Sequence, residues 1–174
     1  MNDCPDYSTG GWLVQTAMLD RAKKCGKQAA KPLSIQWGPK EVQTSDRFAV
    51  PSRGVLRIEI VEACTEIPQG LDVRIPGGIH LPDGSVVELL RTWGDPNLES
   101  VLEYPFTAKT GELVTWNVYM MARGSLGFVP EKWTGNAGFW VERYSLTDRI
   151  YHCSHALCEL PDFTKFVYRL TIKS

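Results

Sequence analysis

The sequence predicts a mainly β fold: an antiparallel β-sandwich or small β-barrel of about eight or nine strands, with a short N-terminal helical segment. Two observations lead to this prediction. Several short stretches alternate apolar and polar side chains with a period of two, which is typical of strands buried on one face. Turn residues separate these stretches at fairly regular intervals, and there is little helical periodicity. This pattern does not distinguish a sandwich from a barrel.

Length and composition are those of one soluble globular domain. The chain has 174 residues, of which 43% are hydrophobic and 22% are charged, close to the globular average. We expect a single domain over residues 1–174, with a loose polar N-terminus over residues 1–11. The net charge of −1 gives no indication of nucleic acid as a partner, and no apolar run approaches the ~20 residues needed to span a membrane.

The cysteines favour a reducing compartment. There are five of them at irregular spacing, which is a poor disulfide framework. The sequence also lacks an Asn-x-Ser/Thr sequon and an N-terminal secretory signal. We therefore expect free, mostly buried thiols and a cytoplasmic protein.

The chain is expected to begin with a helix. Residues 12–24 carry side chains spaced three and four apart, which favours a helix ending near Gly26, although residues 12–19 also fit a first strand. A short apolar segment follows at residues 34–37 and ends at Gly38-Pro39.

Strands are expected over most of the remaining chain. In residues 55–61 alternate side chains are apolar, and residues 163–172 repeat this pattern at the C-terminus. The Pro76-Gly77-Gly78 sequence is expected to end the strand at residues 71–75. Further strands are predicted over residues 86–93, 101–106 and 146–153.

Residues 111–144 concentrate aromatic side chains and predict two strands joined by a glycine-rich loop. On the first strand, one face is apolar and is expected to pack into the core: Val114, Trp116, Val118 and Met120. The other face mixes a hydroxyl, an amide, a phenol and a thioether: Thr115, Asn117, Tyr119 and Met121. A surface of this mixed kind is typical of a pocket wall, which combines apolar area with a few polar groups.

The return strand and the loop extend this predicted ligand site. Trp140, Glu142 and Tyr144 share one face of the return strand, and together they could pack on a sugar ring and hydrogen-bond its hydroxyls. Phe128 and Trp133 lie in the glycine-rich loop, where large aromatic side chains are costly to expose. The alternative is that this second face binds no ligand and is covered by the N-terminal helix or by another protomer. Strand register decides whether the two strand faces meet.

Motifs for nucleophilic catalysis are absent, including G-x-S-x-G, the P-loop and H-E-x-x-H. Acid–base catalysis needs only a carboxylate, a histidine or a tyrosine in a dry pocket. The candidates within the predicted site are Glu142, Tyr119 and Tyr144. Other residues are equally admissible: His80, Glu88 and Glu103. No cofactor is predicted.

Residues 152–158 concentrate two of the three histidines and two of the five cysteines, which raises a zinc hypothesis. The spacing argues against zinc, because Cys153 and Cys158 are too far apart for a knuckle and the distant candidates, Cys64 and His80, are single residues. We predict no metal site. A disulfide from Cys153 or Cys158 to Cys64 has about the same weight as the zinc hypothesis.

Three classes of function fit these observations. The first is a β-sandwich or barrel that binds a small molecule, a glycan or an apolar metabolite, through its aromatic surface. The second is a small enzyme, a cyclase or isomerase acting by pocket shape and acid–base catalysis. A compact β-barrel with a short N-terminal helix is similar in plan to some small natural-product cyclases, although no motif residue matches. The third is an interaction module, for which a homo-oligomer is compatible with the sequence.

Overall fold

The computed structural model describes residues 4–26, 33–64, 66–95, 97 and 101–174. Within these ranges the chain forms a helix, α1 (Val14–Cys25), and a short 3₁₀ turn at Gly124–Leu126. The strands are β1 (Ser34–Trp37), β2 (Lys40–Gln43), β3 (Asp46–Ala49), β4 (Arg53–Ala63), β5 (Gln69–His80), β6 (Val86–Trp93), β7 (Val101–Thr107), β8 (Glu112–Ala122), β9 (Phe128–Glu131), β10 (Gly138–Ser145), β11 (Asp148–Ser154) and β12 (Phe166–Lys173).

The predicted fold class is confirmed: the protein is mainly β, with antiparallel strands and a short N-terminal helix. The strands pair in the order β1-β2-β10-β11-β12-β4-β7-β5-β8-β3, while β6 pairs with β5 and β9 pairs with β8. The sheet is not closed, since β1 and β3 do not pair with each other. It contains twelve strands, more than expected, because very short strands such as β2, β3 and β9 leave little alternation in the sequence.

The sheet folds over so that its two halves face each other across one core. Strands β8 and β12 are far apart in the pairing order, yet Thr115 Oγ1 lies 3.0 Å from Tyr168 Oη. Likewise, Asp46 on β3 accepts a hydrogen bond from Arg149 on β11, with 2.7 Å between Oδ2 and Nη1. The main core contains apolar side chains from both halves, including Leu56, Ile58, Leu71, Val73, Leu113 and Leu170. This arrangement is an open β-sandwich.

Strand β5 continues through the Pro76-Gly77-Gly78 sequence, which was expected to end it. Both glycines have positive φ, 117° and 132°, and the pairing with β6 shifts register between Arg74 and Ile79. A Cβ atom on Gly78 would lie 2.2 Å from Val86 Cγ1, so only glycine fits there. The bulge lets the first half of β5 pair with β8, while its second half meets β7.

The helix α1 packs over one edge of the sandwich. Val14 and Ala17 are buried in a second, smaller core that also contains Tyr7, Ile35, Val42 and Phe163. The Tyr7 backbone N–H donates to Gln36 O at 3.0 Å, which anchors part of the N-terminal stretch. Residues 1–3 of that stretch lie outside the described ranges. Within those ranges, no helix combines the length and apolar character that crossing a bilayer requires.

Candidate functional site

The mixed face of β8 points into the sandwich. Thr115 Oγ1 donates to the backbone oxygen of Asp72 at 2.8 Å, and Asn117 Nδ2 donates to Ser154 O at 3.0 Å. Tyr119 Oη lies 2.6 Å from Thr134 Oγ1. All three side chains are buried, and Met121 is half-buried near the end of the strand. Their polar atoms therefore bond to the chain itself, and their role in ligand binding stays a prediction.

The apolar face of β8 is the outer face, which differs from the expected orientation. Trp116 is buried there, and its indole N–H donates to Asp72 Oδ2 at 3.0 Å. Asp72 in turn accepts two hydrogen bonds of 2.7 Å from the Arg91 guanidinium. The Lys132 ammonium lies 4.5 Å from the Trp116 ring centroid. Both faces of β8 are thus covered, because the chain crosses over its outer side after β9.

Trp140, Glu142 and Tyr144 share one face of β10, as predicted, and His152 of β11 joins them. Tyr144 Oη donates to Glu142 Oε2 at 2.7 Å, and Glu142 Oε1 lies 2.6 Å from His152 Nε2. These two neighbours, Tyr144 first and then His152, hold the pKa of the Glu142 carboxyl below its ordinary value. The Trp140 ring stacks on His152 at 4.0 Å and also has the Lys40 ammonium 5.1 Å from its centroid. Other side chains of the protein therefore already contact the Trp140 ring.

Trp133 lies in the loop between β9 and β10, and its backbone is strained. It has φ of 63°, and it is the sole non-glycine residue with positive φ in the described part of the chain. A bulky side chain rarely adopts this conformation, since Cβ then approaches the carbonyl oxygen. The indole N–H donates to Thr44 O at 2.9 Å, and Lys132 Nζ lies 4.3 Å from the ring centroid. These contacts hold the ring in place, yet 43% of the side chain is exposed.

An open cleft of about 300 Å³ separates Trp133 from α1. Its lining comes from the helix, from Leu33 and from the loop, and includes Gln15, Met18, Leu19, Ala22, Thr44 and Trp133. None of these lining residues carries a charge. Leu19 is 56% exposed, although apolar helix side chains usually face a core. The cleft therefore offers a mainly apolar surface with an aromatic ring on one side.

Hydrogen bonds between α1 and the loop fix the two walls of this cleft. The Gln15 backbone N–H donates to Gly135 O at 2.9 Å, and Gly135 N–H donates back to Gln15 Oε1 at 3.0 Å. Val14 N–H donates to Asn136 Oδ1 at 3.1 Å. The buried Asn136 side chain also donates to the backbone oxygens of Cys158 and Glu159. The walls are thus held together before any ligand arrives.

The predicted site residues do not form one site. Trp140, Glu142 and Tyr144 lie together, while Tyr119 lies beneath the Trp133 loop and bonds to Thr134. Phe128 is exposed on β9 and lies outside the described clefts. The cleft residues of α1 were not predicted, although the exposed position of Leu19 on a helix would have been a signal.

A second open cleft, of about 400 Å³, follows β11. Its lining includes His155, Cys158 and four charged side chains: Glu66, Glu159, Asp162 and Lys165. All five cysteines of the chain are free thiols, so the alternative of a disulfide to Cys64 is wrong. Among the described residues, no group of three or more histidine, cysteine, aspartate or glutamate side chains is arranged to hold a metal ion.

Comparison with known proteins identifies no relative: no family model, no curated protein and no solved structure matches this chain. Its function has to be inferred from the two clefts and the exposed face of β10.

Proposed function

We propose that this protein binds a small, neutral and mainly apolar molecule in the cleft between α1 and Trp133. The observation that carries the proposal is Trp133, strained and 43% exposed, beside a cleft whose described lining residues carry no charge. A non-glycine residue in the left-handed region costs about 1–3 kcal/mol, and such strain clusters at binding sites. Contacts with Thr44 and Lys132 hold Trp133 in this conformation, and the exposed part of the residue is left to contact a ligand.

The chemistry of the cleft defines the class of ligand. Met18, Leu19 and Ala22 supply apolar area, and a volume of about 300 Å³ is at the small end of ligand clefts, which span roughly 300–1,000 Å³. Gln15 uses its side-chain oxygen to accept from Gly135, so its amide N–H₂ is left to orient a hydrogen-bond acceptor. A charged ligand would lose hydration without meeting an opposite charge among the described lining residues. These features support a neutral metabolite with an apolar ring or chain and one acceptor.

An apolar metabolite is favoured over a glycan. A sugar ring needs an open aromatic face, but His152 and Lys40 already contact the Trp140 ring. Trp133 is partly exposed, but among the described lining residues only Gln15 and Thr44 have aliphatic polar side chains, which is few for the hydroxyls of a sugar ring.

The test is a binding titration with a panel of neutral apolar metabolites and a matched panel of saccharides. Leu19→Gln places a polar group in the cleft, and Lys23→Gln introduces the same side chain one turn further along the helix, at a residue that does not line the cleft. We expect apolar compounds to bind the parent protein and Lys23→Gln alike, and to bind Leu19→Gln at least tenfold more weakly. Equal binding by both variants, or saccharide binding in place of apolar binding, would contradict the proposal.

An acid–base enzyme is the second candidate function, and the 2.6 Å contact between Glu142 and His152 favours it. A carboxylate that orients a histidine is a common arrangement in proton transfer. The pair lies on a sheet face beside Tyr144, and the proposal is that a substrate docks there. Solvent-deuterium exchange into a panel of small carbonyl compounds would test it: the parent protein should catalyse the exchange and the Glu142→Gln variant should not. Exchange that survives the Glu142→Gln substitution would show that the carboxylate takes no part in proton transfer.

We also propose that the protein works in a reducing, cytoplasmic compartment, for which its five free thiols are the support.

Light scattering tests the remaining alternative, an interaction module. A stable homo-oligomer that buries Leu19 would favour that module over a ligand cleft.

A further inference from the structure

The cleft that follows β11 contains a thiol, an imidazole and several charges. Cys158 and His155 lie three residues apart in the segment between β11 and β12, and both line the cleft. Asn136 fixes the backbone of this segment, because its Nδ2 donates to Cys158 O at 2.9 Å. The Cys158 side chain is half-buried, so small reagents can reach it.

The His155 ring has an unpaired donor. Its side chain is 5% exposed, and Nδ1 accepts a hydrogen bond from Leu157 N–H at 3.1 Å. In the neutral ring the proton therefore lies on Nε2, which is buried and has no hydrogen-bond partner among the described residues. A buried donor without a partner is costly, so it points to a group that the chain itself does not supply.

The surroundings of Cys158 favour its thiolate. Partial burial by itself would raise the pKa of the Cys158 thiol, but the neighbouring His155 ring and Ser154 hydroxyl outweigh it and lower the pKa below its ordinary value. Burial without such neighbours raises the pKa of the Cys153 thiol far above its ordinary range. The thiolate is the reactive form of cysteine, so the two thiols differ in reactivity as well as in access.

We propose that Cys158 is a thiol–disulfide exchange site, at which a small neutral or cationic disulfide binds in the cleft and forms a mixed disulfide with the protein. The Cys158 thiolate attacks one sulfur of the disulfide. A new S–S bond to Cys158 forms as the original S–S bond breaks, and the other half leaves as a thiolate. The disulfide is the oxidant, and no other co-reactant is needed.

The charges of the cleft select the disulfide. The described lining has three carboxylates, those of Glu66, Glu159 and Asp162, but one lysine, Lys165, which pairs with Glu66, so the cleft is acidic. An acidic cleft concentrates cations and repels anions, an effect that salt screens. Cationic disulfides should therefore react faster than anionic disulfides of the same length.

Three symmetric disulfides of similar length test this proposal: cystamine, which is cationic, bis(2-hydroxyethyl) disulfide, which is neutral, and 3,3′-dithiodipropionate, which is anionic. Peptide mapping by mass spectrometry gives the modification rate of each cysteine, and rates with a free model thiol correct for intrinsic reactivity. We expect Cys158 to be modified first, with cystamine faster than dithiodipropionate by on the order of tenfold at low salt. Slower modification of Cys158 than of Cys4 or Cys25, or no charge preference, would overturn the proposal.

The His155→Asn variant tests the part played by the ring. The asparagine oxygen can still accept from Leu157 N–H, so the segment keeps its local hydrogen bond while the imidazole is lost. We expect the exchange rate of Cys158 at pH 7 to fall roughly threefold or more, and its pH profile to shift upward. An unchanged profile would contradict the role of His155. If this variant does not fold, the cysteine ranking in the parent protein still decides the proposal.

Discussion

Replacing Trp133 separates its two roles, as a strained loop residue and as one wall of the proposed ligand cleft. Trp133→Ala removes the ring but keeps a Cβ atom at φ of 63°, so the backbone strain persists. Trp133→Gly removes the same ring and also relieves the strain. Both variants lose the bond to Thr44 O, worth about 1 kcal/mol, and the packing of a partly buried indole. Trp133→Gly should therefore be the more stable of the two by about 1 kcal/mol.

Urea and thermal unfolding measure this difference directly. For a chain of this length, about 1 kcal/mol corresponds to a difference of about 2–4 °C in Tm. Neither variant should bind the apolar ligand. Trp133→Phe is the matched control: it keeps an aromatic wall and the strain, loses the N–H bond, and should retain binding. If Trp133→Ala equals or exceeds Trp133→Gly in stability, the backbone at this position is not strained. If both variants bind as well as the parent, the Trp133 ring is not a wall of the ligand cleft.

Three further predictions concern two ion pairs and a buried amide. Asp46→Asn leaves Arg149 buried without its counter-charge. It should lower the free energy of unfolding, measured in urea, by about 3–5 kcal/mol. A loss below about 1 kcal/mol would be inconsistent with a buried ion pair. Asn136→Ala removes three hydrogen bonds and should lower the free energy of unfolding by about 3 kcal/mol in the same assay. An unchanged free energy of unfolding would mean that α1 does not depend on its bond to Asn136. The hydrogen bond from Arg169 lowers the pKa of Asp148 below its ordinary 3.8. The stability that this pair contributes is therefore present above pH 3.8, and it is lost as the pH falls through the lower pKa of the folded state. Asp148→Asn should therefore cost more stability at pH 7 than at pH 2.5, and equal costs at the two pH values would contradict this pairing.

Alternation in the sequence predicted the strands well, but not which way each face points. In β12 one face is uniformly apolar, so its orientation follows from burial alone. In β8 the wholly apolar face was expected to pack into the core, and the mixed face with Thr115 and Asn117 was expected to line a pocket. They face inward because Tyr168 and the Ser154 carbonyl bond to them across the sandwich. Such partners lie far along the chain, and a sequence pattern does not reveal them.

The candidate site was predicted only in part, for a related reason. Trp133 stood out as an exposed aromatic in a loop, but the opposite wall belongs to α1, more than a hundred residues earlier. The contact between Val14 and Asn136 that joins them has no signal in either local sequence. Similarly, the cluster at residues 152–158 raised a zinc hypothesis that its spacing argued against, while the placement of Cys158 beside His155 in one cleft depends on the loop conformation after β11.

Fluorine NMR of protein labelled with 5-fluorotryptophan tests the central claim most directly. The chain has six tryptophans, and the Trp133→Phe variant assigns the Trp133 resonance by its loss. Titration with neutral apolar metabolites should shift the Trp133 resonance saturably and leave the Trp140 resonance in place, while saccharides should shift neither. If no apolar compound moves the Trp133 resonance at millimolar concentration, or if saccharides move the Trp140 resonance instead, the ligand does not bind between α1 and Trp133.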